Sequence, residues 1–131
     1  KHSVNRSCIE NKKVILIDDS IVRGTTANKI VKMVYEAGAK EVHLGISCPP
    51  ILHPDFYGID TPNYNQLIAS KSSLKEMTKL VGAKSLFFLS LNGTYKAMGC
   101  EKRNSKTPQF TDHCFTGEYP IDVTEILKLN K

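Results

Sequence analysis

No tryptophan, no paired-cysteine motif and no long apolar run occur in this chain of 131 residues, and each absence narrows what it can be. The longest apolar runs, near residues 14–17 and 86–91, are strand-length, far short of the roughly 20 apolar residues that span a bilayer. No charged-then-apolar leader of the secretory kind is present either. The expectation is a cytoplasmic protein with no membrane partner. The cysteines Cys8, Cys48, Cys100 and Cys114 sit far apart. Without a C-x-x-C pair or a nearby pair of histidines at ligand spacing, they exclude a zinc-finger pattern and argue against a disulfide scaffold. The formal charge is +5, from 18 basic and 13 acidic residues, but the lysines are scattered and no arginine cluster alternates with aromatics. A nucleic-acid partner is not expected. No internal repeat occurs. The chain opens on Lys1 rather than methionine and is read as a processed, truncated or proteolytic piece.

What is present is one clear unit of strand, loop, helix and strand. Val14–Ile17 is aliphatic on both faces, as in a central parallel strand covered by helices on both sides. It ends in Asp18 and Asp19 and a short loop holding Gly24. Thr25 or Thr26 caps a helix to about Glu36, with Ala27, Ile30, Val31, Val34 and Ala37 on its apolar side and Gly38 stopping it. Val42, Leu44 and Ile46 alternate as a second strand. Cys48–Pro62, with four prolines, is extended or turning. Asn63–Ser70 reads as a short helix, and Ser73 with Glu76 as a capping box opening a helix that ends near Gly82. Ser85–Leu91 reads as another buried strand, residues 100–113 as a loose polar loop, and Val123–Leu129 as a last amphipathic helix.

The chemistry concentrates in Asp18–Thr26. Ligands of open α/β sheets sit where strands end and loops lead into helices. Amides of Arg23, Gly24, Thr25 and Thr26 at a helix N-terminus favour a phosphate, and Gly24 lets the backbone come close. Hydroxyls of Ser20 and the threonines add donors. Arg23 either adds charge or points to solvent or a partner subunit. Two carboxylates beside a phosphate make sense if Asp18 and Asp19 accept hydrogen bonds from ribose hydroxyls and hold a hydrated Mg²⁺. A Walker loop would need G-x-x-x-x-G-K-[ST], and a dinucleotide fingerprint G-x-G-x-x-G; neither is present. A plain solvated turn accounts for the glycine and threonines, but not for four aliphatics, two acids and G-T-T in that order.

The run Val14–Thr26 resembles the signature of type I phosphoribosyltransferases, which use phosphoribosyl pyrophosphate (PRPP). Tyr57-Gly-Ile-Asp-Thr-Pro62, Gln66-Leu-Ile-Ala69, Leu89-Ser-Leu91 and Cys114-Phe-Thr-Gly-Glu-Tyr-Pro120 extend the resemblance from about Lys1 to Ile121. They narrow it to the C-terminal part of the amidophosphoribosyltransferase family, also called glutamine PRPP amidotransferases. That resemblance implies an α/β, partial type I phosphoribosyltransferase fold, a parallel-sheet core with flanking helices and a C-terminal helical extension. Residues 1–99 would be the C-terminal half of the transferase domain, and 100–131 an extension with a surface loop and terminal helix. The implied reaction is the first step of purine synthesis, in which PRPP, glutamine and water give 5-phosphoribosylamine, glutamate and pyrophosphate. Asp18 and Asp19 match the family's metal and ribose ligands, and Ser20, Arg23, Gly24, Thr25 and Thr26 its 5′-phosphate loop.

Two departures matter. Some members hold an iron–sulfur cluster on cysteines that here are replaced by Asp55 and Thr111. Only Cys114 survives, and one thiolate cannot hold a cluster that wants four. No cluster is expected, and Cys114 reads as a small packed residue. The glutaminase domain, the pyrophosphate loop and the flexible lid are also missing from the sequence. The isolated chain should therefore be inactive, hold no catalytic residue of its own, and depend on that missing portion, with a homo-oligomer expected of the full-length enzyme. The rival readings are another type I phosphoribosyltransferase and a PRPP-binding regulatory module.

Overall fold

The computed structural model describes residues 4–61 and 63–129. Its centre is a three-stranded parallel sheet in the order β1 (Lys13–Asp18), β2 (Glu41–Ile46), β3 (Ser85–Phe88). Val14, Leu16 and Asp18 pair with Val42, Leu44 and Ile46, and the last two of these with Leu86 and Phe88. Because side chains alternate along a strand, these residues share one face. On it, α2 (Thr25–Glu36) packs against β2 and against α3 (Leu74–Val81), which lies on β3. Val31, Val34, Val42, Leu44, Ile46, Val81 and Leu86 are all buried there. Each such aliphatic contributes roughly 1.5–3 kcal/mol relative to its exposed state. The α/β architecture is the one implied by the sequence, in partial form.

The other face is left uncovered by the described residues. Ile15, Ile17 and Phe87 are 66%, 68% and 48% exposed. The reading of β1 as a central strand covered on both sides is thus corrected: it is an edge strand, covered on one side, because α2 and α3 both land on the same face. Gly45 sits in the middle of the bare face, where a Cβ would come within 2.5 Å of the Phe87 ring and 2.9 Å of Ile17 Cδ1. These two side chains close over the glycine backbone, which is why Gly45 is buried although the face is open.

Local details follow the sequence in part. The Ser73–Glu76 capping box is present and Gly82 ends α3 in the left-handed region. Residues 48–61 carry no helix or strand; Pro62 lies outside the described residues. Asn63–Ser70 is not one helix but two 3-10 turns, Tyr64–Gln66 and Ile68–Ser70. The third strand stops at Phe88, because Ser90 caps a new helix, α4 (Leu91–Ala97), by accepting from the Gly93 amide. A short α1 (Arg6–Ile9) precedes the sheet, and α5 (His113–Thr116) and α6 (Thr124–Leu129) follow it. Residues 100–113 are less loose than expected. Arg103 is pinned between Asp112 and Glu118, with its side chain 10% exposed.

Candidate functional site

Every residue from Asp18 to Ala27 lines one concavity of about 300 Å³ at the carboxyl end of β1. All seven predicted site residues are therefore brought together. Asp18 is the last residue of the strand, and its main-chain carbonyl accepts from the Ser47 amide and hydroxyl at 3.0 and 3.2 Å. Asp18 Oδ1 accepts from the Asp19 amide, and Asp19 Oδ1 from the Ser20 hydroxyl at 2.8 Å. Among the described residues neither carboxylate has a cation within ion-pair distance. The pair is thus a free set of hard oxygen donors, the chemistry that suits Mg²⁺.

The helix start differs from the expected one. Neither threonine caps α2: its N-cap is Gly24, at φ 77°, and no side chain caps the helix. The left-handed conformation needs glycine. It also brings the loop against the Ile68 side chain, whose Cδ1 would lie 2.9 Å from an added Cβ. Ile68 holds the loop a second time, its amide donating to the Val22 carbonyl at 2.9 Å. The first amides of a 12-residue helix thus face the concavity with the positive end of the helix dipole and without a protein side chain of their own.

Arg23 stands between this pocket and a neighbouring one. Its Nε donates to Gln66 Oε1 at 2.7 Å, and with Lys29, Asn65, Gln66 and Lys71 it borders an adjoining cleft of about 470 Å³. Sequence reasoning missed Ser47, Gln66 and Ile68. Ser47 could have been found from the parallel register, since the residue after β2 must stand beside the end of β1; the other two carry no local signal. Cys48 lies near as well, its thiol pushed up to about 11 by burial and by the charge of Asp19, so it is a neutral thiol at neutral pH.

A second polar centre joins residues 51–57 to α5. Asp55, 8% exposed, is fully engaged: Oδ1 accepts from the amides of Tyr57 and Ile59 at 2.8 and 2.9 Å, and Oδ2 from His113 Nε2 at 2.7 Å. Burial would raise its pKa, but these amide and imidazole donors outweigh it and hold the carboxyl below its usual range. The Cys114 thiol is pushed up to about 11 by burial and by Asp55. The His113 ring lies between Tyr57 and Tyr119, at centroid distances of 4.9 and 5.1 Å. Next to it, Tyr95 and Arg103 donate to Asp112.

The chain is similar over nearly its whole length to amidophosphoribosyltransferases. It is 59% identical over 121 residues to that of Rhizobium etli and 50% identical over 123 residues to that of Bacillus subtilis. These matches cover 92% and 94% of the chain but 24% and 26% of the relatives. The chain therefore spans about a quarter of the length of the curated relatives it matches. No protein-family model matches it. Among solved structures, the glutamine PRPP amidotransferase from B. subtilis complexed with ADP and GMP superposes with a TM-score of 0.82 at 50% identity, over 92% of this chain and 26% of that one. The structure described as the allosteric regulatory enzyme of purine biosynthesis gives 0.83 at 48% identity, over 95% and 27%. By sequence and fold together, the chain is similar to a C-terminal part of the amidophosphoribosyltransferases.

Proposed function

We propose that this segment holds the ribose 5-phosphate end of PRPP within an amidophosphoribosyltransferase, a cytoplasmic, oligomeric enzyme of purine synthesis. The observation that carries the reading is the uncapped start of α2 facing an unpaired diacid across one 300 Å³ concavity. In this reading the amides of Gly24, Thr25 and Thr26 and the hydroxyls of Ser20 and the threonines hold the 5′-phosphate. Asp18 and Asp19 accept from the ribose hydroxyls and hold Mg²⁺, which supplies charge neutralisation for the departing pyrophosphate. Arg23, tied to Gln66, steadies the loop at the rim of the pocket.

The segment contributes binding and orientation. Ammonia delivery from glutamine and the pyrophosphate side of the donor belong to the remaining portion of the enzyme. The bare sheet face, with Ile15, Ile17 and Phe87, is the seat of that remaining transferase portion, since an apolar patch of this kind on a parallel sheet is ordinarily covered. No iron–sulfur cluster belongs to this version of the fold, with Asp55 and Thr111 at the replaced positions. The test is calorimetric titration of Mg²⁺ and PRPP into the complete enzyme and into its Asp18→Asn/Asp19→Asn form. The reading expects saturable binding that the double substitution weakens strongly. Equal affinity in the two proteins would overturn it.

A further inference from the structure

We infer that Asp55, His113 and Cys114 form a site for a single divalent ion of the zinc class, separate from the PRPP pocket. A carboxylate oxygen, a ring nitrogen and the thiol sulfur of these residues lie within 4.8 Å of one another. Around a tetrahedral zinc, with bonds of about 2.0–2.3 Å, such atoms stand roughly 3.3–3.6 Å apart. The Asp55–His113 contact at 2.7 Å has to open slightly and the wider spacings, at most 4.8 Å, to draw in, both within the reach of side-chain torsions.

Three further features separate this group from a chance gathering. First, His113 is 5% exposed and its Nδ1 is a buried ring nitrogen with no hydrogen-bond partner among the described residues. The ring is therefore held by hydrogen bonding only through Nε2, the nitrogen that faces Asp55 and that an ion would take in place of the proton. Second, the carboxylate already has its outer support: Asp55 Oδ1 is held by the amides of Tyr57 and Ile59. Oδ2, which accepts from His113 Nε2, is the oxygen an ion would take between the two groups, and an outer oxygen held by amides is typical of metal-binding carboxylates. Third, the two segments are locked in register by the backbone. The Cys114 carbonyl accepts from the amides of Leu52 and His53 at 2.9 and 3.0 Å. The ligands, 58 residues apart along the chain, are thus placed before any ion arrives.

The donor set selects the ion. One thiolate, one imidazole and one carboxylate suit zinc or its cobalt substitute, and are a poor set for Mg²⁺ or Ca²⁺, which take oxygen ligands. Three protein ligands leave the fourth position to water. The bound ion would join α5 to residues 52–57 beside the Tyr57 and Tyr119 rings.

The test uses the complete protein that carries this segment, stripped with chelator and titrated with Co²⁺ and then Zn²⁺. The expected result is one equivalent bound, with a thiolate-to-cobalt charge-transfer band and the strong visible absorption of tetrahedral cobalt, both displaced by Zn²⁺. Cys114→Ser, a conservative change at a partly exposed position, should abolish the charge-transfer band and weaken Zn²⁺ at least tenfold while leaving the far-ultraviolet spectrum unchanged. Cys48→Ser should alter neither. Absence of a band in the parent chain, its persistence in Cys114→Ser, or a brown chromophore with acid-labile sulfide would each overturn the proposal.

Discussion

Two helices lie side by side on the same sheet face and begin in opposite ways. In α3 the first amides are closed off by the protein itself: Ser73 accepts from the Glu76 amide, and Glu76 reaches back to the Ser73 amide at 2.7 Å. In α2 the same position holds a glycine that can cap nothing, and two unpaired carboxylates stand across from it. A helix end completed by its own side chains is a device for stability. One left open at the floor of a concavity has its missing partner outside the protein.

The largest expected effect concerns the side of the pocket facing α2. Asp18→Asn with Asp19→Asn in the complete enzyme should lower affinity for Mg²⁺ and PRPP by roughly a hundredfold, since charge-assisted bonds contribute about 1.5–3 kcal/mol each. Thermal unfolding should barely change, and calorimetry beside a melting curve separates the two. Gly24→Ala comes next. It forces a side chain into a left-handed conformation, a strain of about 1–3 kcal/mol, and moves the amides. Binding should fall roughly tenfold or more with a measurable loss of stability. The clash with Ile68 Cδ1 adds little, because a terminal methyl can turn aside. If Gly24→Ala binds PRPP normally, the open helix end is not the phosphate site.

Ser73→Ala should show the opposite profile. It removes the cap of α3 and costs about 1 kcal/mol of stability, read as a lower melting temperature, with PRPP affinity unchanged. Loss of affinity there would break the contrast between the two helices. The smallest effect is on pH. Hydrogen bonds from the Ser73 side chain and amide hold the Glu76 carboxyl below its usual value of 4.5. A depressed folded value means the cap's contribution is whole above the unfolded value and fades as pH falls through the folded one. Melting temperatures of the parent and Glu76→Gln should therefore differ near neutrality and converge as the Glu76 carboxyl is protonated at acid pH.

Much of this was legible because it is local. The run Val14–Thr26 carries its strand, its acids and its phosphate loop in consecutive residues, and the alternation of Val42, Leu44 and Ile46 marks the buried side of β2 directly. The capping box could be read from two residues three apart. The misreadings have a common origin. Ile15 and Ile17 look like core residues, and their chemistry is that of core residues; that they are bare depends on which elements are there to cover them. Thr25 and Thr26 look like caps, yet the backbone enters the helix one residue earlier, through a left-handed glycine supported by Ile68 from a distant 3-10 turn. Ser90 was taken for the interior of a strand, although its hydroxyl starts a helix that carries a glycine near its beginning.

The polar centre around Asp55 shows where sequence stops being informative. Asp55 stood out only as a departure from a cysteine pattern, Cys114 only as its surviving member, and His113 not at all. Pairing across 58 residues leaves no periodic trace.

By itself the sequence determined the strand–loop–helix unit, the diacid beside the G-T-T turn and the likeness to the amidophosphoribosyltransferases, because short-range pattern and residue chemistry carry all three. Only the tertiary structure decided that α2 begins uncapped, that Arg23 is tied to Gln66, that one sheet face is left uncovered by the described residues, and that Asp55, His113 and Cys114 converge. Each of these depends on which distant segment packs against which, and chain neighbours hold no record of that.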